Sequence, residues 1–235
     1  MSSQKALSSL YPFLQPSSQH TSISDTDLLR SVQQKSQDCQ AIIHTFFDQQ
    51  GAAVIAAAHM IAAVYRSHRR LLTMGNGGSS CDASHIAVEF LHPVTAGRPA
   101  LPAVNLSADQ AMMTAVGNDV GFEHIFVRQL VAHGQAGDGL IGISTSGNSD
   151  NLLRAFHKAK DMGILTIGLT GGSGGAMAAT PSIDQCLIVP TESIHRIQEC
   201  HVLIYHILWD LVHTLLARDR GPATSATKED HEVPR

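Results

Sequence analysis

Residues 71–91 restrict the fold of this chain more than any other stretch. Leu71, Leu72 and Met74 form a short apolar run, Asn76-Gly77-Gly78-Ser79-Ser80 a glycine-rich turn, and 80–91 a segment with helical spacing of apolar residues. A buried strand that turns directly into a helix is the unit from which parallel sheets are built. The pattern repeats downstream. Apolar runs at 101–106, 139–144, 165–170 and 186–189 read as strands. The stretches 109–116, 125–133, 151–162 and about 194–217 read as helices. Strands alternating with helices predict right-handed crossovers and a parallel sheet covered on both faces, an α/β fold. Upstream, the spacing predicts two helices. One is capped by Asp25 or Thr26 and runs to about residue 49. The other, over 52–68, is apolar nearly all round and is expected to be buried, with a subunit interface as one place for it.

Composition narrows the class. The 235 residues are 43% hydrophobic and only 5% aromatic, so the core must be built from Ala, Val, Leu and Ile. The formal net charge of −4 gives no sign of a nucleic-acid surface. No apolar run reads as membrane-spanning and the start carries no basic-then-apolar leader pattern, so a cytoplasmic protein with no membrane partner is expected. Cys39, Cys81, Cys186 and Cys200 form no CxxC pair and are expected to be reduced, buried or half-buried thiols. His68, His133 and His157 are expected at the surface. The ends, 1–25 and 218–235, are polar and aperiodic; they read as flexible tails flanking one domain over 26–217.

Four segments carry groups suited to chemistry. Asn76-Gly77-Gly78 stands where a strand ends and a helix begins, where backbone N–H groups can approach an anion. It is neither a Walker A loop nor GxGxxG. On the helix that follows, His85 and Glu89 are four residues apart and share a face. They suit a base or a pair of metal ligands. Ser144-Thr145-Ser146-Gly147-Asn148-Ser149 follows another strand and supplies four hydroxyls without a cation, a way to hold a phosphate reversibly; such a loop can also simply cap the next helix. Asn118 and Asp119 form a polar pair that suits either sugar hydroxyls or turn chemistry. In the last helix, Gln198, His201 and His206 interrupt an apolar stripe and need partners if buried. Gln198 and His206 are eight residues apart, a rise of roughly 12 Å, and spacing does not choose between His201 and His206.

Five segments, GNGGSSCDASHIAVE, AVGNDVGF, GISTSGNS, LTGGSGGAMA and RIQECHVLIYHILWDLV, together resemble the SIS-domain phosphosugar isomerases, and among them the bacterial phosphoheptose (sedoheptulose 7-phosphate) isomerases. The resemblance implies a flavodoxin-like three-layer α/β/α sandwich with a five-stranded parallel sheet, assembled as a homotetramer with active sites lined by adjacent subunits. It implies one zinc per subunit, held by His85, Glu89, Gln198 and His206, and so favours His206 over His201. It implies substrate contacts from Asn76, Gly77, Gly78, Asn118, Asp119, Ser144, Thr145, Ser146, Ser149 and Gln198, with the phosphate on the 144–149 loop. Glu89 would be the base and His206 the acid of an enediol isomerisation that needs no redox cofactor and feeds ADP-heptose and lipopolysaccharide synthesis. Two positions depart from the family pattern: Pro93 stands where an Arg is usual, and His195 where an acidic residue is usual. The same fold also serves non-catalytic phosphosugar-binding regulators, scaffolds that associate with a replication initiator, and isomerases of other sugar phosphates.

Overall fold

The structure, a computed structural model, describes residues 23–219. In chain order the elements are α1 (Asp25–Arg66), β1 (Leu71–Gly75), α2 (Gly78–Leu91), β2 (Ala103–Asn105), α3 (Gln110–Asp119), a 3₁₀ turn (Phe122–His124), α4 (Ile125–His133), β3 (Gly139–Ser144), α5 (Asp150–Asp161), β4 (Leu165–Gly171), α6 (Gly175–Ala179), β5 (Gln185–Val189) and α7 (Ile194–Asp219). The chain divides into two compact units at Asp38/Cys39. The described part of the first is the opening of α1, and the second holds every other element.

All five strands pair in parallel in the order β2-β1-β3-β4-β5. β1 therefore lies between β2 and β3, and successive connections leave it in opposite directions. Side chains alternate between two cores, as the period of two in a strand requires. Leu71, Ile141, Ile143, Ile167, Leu169, Leu187 and Val189 join one cluster with Ile61, Ile86, Phe90, Ile204 and Leu208. Leu72, Met74 and Leu140 join the other with Phe126, Leu130, Leu152 and Phe156. The sheet is thus covered on both faces, which is why its strands read as nearly continuous apolar runs.

Several elements differ from the expectation. Residues 25–66 form one helix where two were predicted. Gly51 passes through it with open space at the position of a Cβ, and one glycine costs a helix only about 1 kcal/mol. Ser24, not Asp25 or Thr26, begins this helix: its hydroxyl accepts the Asp27 N–H and donates to the Asp27 carboxylate. The stretch read as apolar all round buries a single stripe, Val54, Ala57, Ala58, Ile61, Ala62, Val64 and Tyr65, and leaves Ile55 exposed. Helix α6 lies in Gly- and Ala-rich sequence that has no apolar period. The first tail lies outside the described residues up to residue 22, and Asp25 is already helical. The second lies outside them from residue 220, while Arg218 and Asp219 close α7. Cys81 is exposed rather than half-buried.

Helix α7 corrects a further expectation. Among the described residues it is the one helix long and apolar enough to cross a membrane by length and composition. Here it is a core helix, with Ile197, Cys200, Ile204, Leu208 and Val212 buried in the cluster on the sheet. Its His201 is fully buried and its Nε2–H donates to the Thr170 carbonyl at 3.2 Å. Burial pushes His201 down to about 4, against the opposing pull of that hydrogen bond. The folded protein therefore holds this ring neutral where the unfolded chain, near 6.5, takes up a proton. The resulting stability is present above about pH 6.5 and is lost as pH falls toward 4, to a limit of about 3 kcal/mol. In urea denaturation from pH 7 to 4.5, His201→Gln, which keeps a donor but does not titrate, should lose less stability than the unaltered protein.

Candidate active site

The carboxyl ends of β1 and β3 are neighbours, with Gly75 in register with Ile143. This is the switch point of the sheet, where parallel α/β folds leave a crevice. A cleft of about 320 Å³ lies there, lined by Asn76, Phe122, Glu123, Ser149, Asp150 and Asn151. Asn76 and Asn151 exchange two side-chain hydrogen bonds of 2.9 Å across it. Asn151 was not singled out from sequence because it reads as an ordinary first-turn helix residue.

The hydroxyl loop after β3 is built around Gly147. Its φ is +66°, and a Cβ there would lie 2.0 Å from the Gly174 carbonyl oxygen. The Asn148 amide ties the two loops together, donating to the Ser146 carbonyl and accepting the Ala176 N–H, both at 2.9 Å. Ser149 precedes α5 but makes no side-chain cap. Its hydroxyl turns inward to Ser144 at 2.9 Å, and Ser146 lies 3.5 Å from Ser144. Three of the loop's four predicted hydroxyls therefore face one another, and Thr145 contributes its carbonyl to the Gly171 N–H. Gly147→Ala should cost at least about 2 kcal/mol in chemical denaturation, from left-handed strain plus the backbone clash. It should also abolish any thermal stabilisation by a sugar phosphate.

The second group of residues stands on α2 and α7. Gly77 precedes α2, and the Ser80 hydroxyl donates to its carbonyl at 2.6 Å. At Gly78, a Cβ would fall 2.3 Å from Gln198 Nε2, so only glycine lets the Gln198 amide lie against the first turn of α2. Two turns on, His85 Nε2 is 3.2 Å from Glu89 Oε1. His206 comes from α7, with its ring centroid 5.0 Å from that of His85. One ligand atom from each of His85, Glu89 and His206 lies within 4.8 Å of the others. His201, equivalent by spacing, points instead to the sheet. Asn118 and Asp119 are exposed at the end of α3, where the Asn118 amide donates to the Asp119 carboxylate at 2.8 Å.

The surroundings order this cluster. Trp209 Nε1–H donates to the Glu89 carbonyl at 2.8 Å. The Arg98 guanidinium stacks over the Trp209 ring at 4.2 Å and pairs with Asp210. Arg98 is therefore committed to α7 and does not take the place of the arginine that Pro93 replaces. Pro93 follows the last turn of α2, and His92 before it is out of helical conformation, φ −135° and ψ 70°. His195 is exposed at the start of α7. Asp82, buried one turn before His85, is pushed up to about 6 by burial, with His85 pulling it down. Burial and the His85 ring lower His206, and Glu89 opposes them.

Two loops, one rich in hydroxyls, meet at the switch point of a parallel α/β sheet, and the SIS domain family model matches residues 36–171. Among curated proteins the chain is 47% identical over 157 residues to the phosphoheptose isomerase of Aneurinibacillus thermoaerophilus, covering 67% of this chain and 78% of that one. It is 45% identical over 169 residues to that of Chlorobaculum tepidum, covering 71% and 80%. Its structure matches a phosphoheptose isomerase from Francisella tularensis with a TM-score of 0.75 at 35% identity, over 82% of this chain and all of the other. It matches one from Neisseria gonorrhoeae with 0.74 at 35%, over 80% and 99%. The chain belongs to the phosphoheptose isomerase family of SIS-domain proteins.

Proposed function

We propose that this protein interconverts D-sedoheptulose 7-phosphate and D-glycero-D-manno-heptose 7-phosphate. The convergence of Glu89 and His206 from two helices into one cluster carries this proposal, and family membership supports it. Turning the ketose into the aldose removes a proton from C1 and delivers one to C2 through an enediol. Glu89, a half-buried carboxylate, takes the C1 proton. His206, which converges on the same cluster from α7, serves as the proton donor on the other side, and the proton that Glu89 takes up is returned when the enediol collapses. The hydroxyls of Ser144, Thr145, Ser146 and Ser149 hold the phosphate without a cation. Asn76, Gly77, Gly78, Asn118 and Asp119 meet the sugar, and Gln198 reaches it from α7, its amide lying against the first turn of α2.

The donor set also fits a metal. Two imidazoles and a carboxylate suit zinc, and the 3.2 Å between His85 Nε2 and Glu89 Oε1 resembles the edge of a tetrahedral site, about 3.3 Å. His85, Glu89 and His206, with Gln198 as the fourth ligand, would hold one zinc per subunit. When bound it would polarise the substrate carbonyl. A cytoplasmic homotetramer with sites lined by neighbouring subunits, supplying ADP-heptose for lipopolysaccharide, completes the proposal.

A phosphosugar-binding regulator is the second reading, favoured by Pro93 and by the commitment of Arg98 to Asp210. One assay separates the two. With zinc and sedoheptulose 7-phosphate, the enzyme forms the aldose, detected by NMR, whereas a regulator is stabilised thermally without turnover. Glu89→Gln should lower kcat by about 10²–10⁴-fold and leave the thermal unfolding midpoint of the metal-free protein within a few degrees.

A further inference from the structure

Tyr205 has no part in the chemistry above, yet it holds the cluster. Its hydroxyl is 2.8 Å from His85 Nδ1, and Nε2 of the same ring is 3.2 Å from Glu89 Oε1. The imidazole is thus held at both nitrogens, by α7 on one side and by its own helix on the other. Tyr205 is 3% exposed. Its ring makes edge contacts with His85, centroids 5.2 Å apart, and with His206, 4.9 Å apart.

A neutral imidazole carries one proton, and a phenolic hydroxyl both donates and accepts. With the proton on Nε2, Tyr205 donates to Nδ1 and the Nε2–H is taken up by Glu89. With the proton on Nδ1, the Tyr205 oxygen accepts it, and the Nε2 lone pair faces Glu89 and His206. Only the second arrangement offers three lone-pair donors to one cation. We propose that Tyr205 is a positioning residue that accepts the Nδ1 proton of His85 and so presents Nε2 as the metal-facing atom, with the ring orientation set before the metal arrives. The proposal rests on the reading of His85, Glu89 and His206 as a zinc site. Nothing in the apolar stripe of α7 marks this role; a phenylalanine at 205 would pack equally well and leave Nδ1 without this partner.

Tyr205→Phe removes the hydroxyl and keeps the ring. Zinc affinity, measured by competition with a chromophoric chelator, should fall about 10–100-fold, the usual effect of losing a partner of a ligating histidine. The unfolding midpoint of the metal-free protein should stay within a few degrees, which a merely structural role would not allow. A second measurement needs no variant. The ¹⁵N shifts of the His85 ring in the zinc-loaded protein should place its proton on Nδ1. Unchanged affinity in the variant, or zinc bound through Nδ1, overturns the proposal. If the unaltered protein itself takes up no zinc, the zinc reading falls and this proposal with it, a result visible before any variant is compared.

Discussion

The site depends on how α2 packs against α7. Two hydrogen bonds of 2.8 Å cross between them: Trp209 Nε1–H donates to the Glu89 carbonyl, and the Tyr205 hydroxyl pairs with His85 Nδ1. Helix α2 alone sets His85 and Glu89 on one face. His206 joins them only because α7 lies in one register along α2, fixed by Ala83, Ile86 and Phe90 against Ile204, Tyr205 and Leu208 in a common core. A slip of one turn, about 5.4 Å, would carry His206 out of reach and break both bonds. The apolar packing thus sets the chemistry, and the polar crossings define the register.

The sheet supplies the second constraint. Its order places β1 beside β3, so the loops after these two strands meet over one crevice. Asn76 and Asn151 bridge them, and the Gly147 turn packs on the loop that leads into α6. The hydroxyls of Ser144, Ser146 and Ser149 turn toward one another rather than capping α5.

Much of this was legible in the sequence, for physical reasons. Strands buried on both faces read as apolar runs, so β1 and β3 fall where the runs at 71–75 and 139–144 placed them. The His85–Glu89 pairing follows from helical spacing alone. What spacing could not give was the choice between His201 and His206, because both lie on one long helix and only packing decides which ring faces the sheet. Tyr205 and Trp209 were hidden for the same reason: their apolar bodies fit the core stripe, and their polar tips show a role only once α2 is beside them. Gly51 suggested a break that helical neighbours overrode, and α6 was concealed by glycines that read as turn.

We propose that one metal ion and one sugar phosphate meet between α2, α7 and the switch-point loops. A crystal structure of the Glu89→Gln protein soaked with zinc and sedoheptulose 7-phosphate, recorded at the zinc absorption edge, tests it directly. The expected result is an anomalous peak touching His85 and His206, with the phosphate on the hydroxyls of Ser144, Ser146 and Ser149. A peak away from these histidines, or a sugar phosphate bound elsewhere, would contradict it.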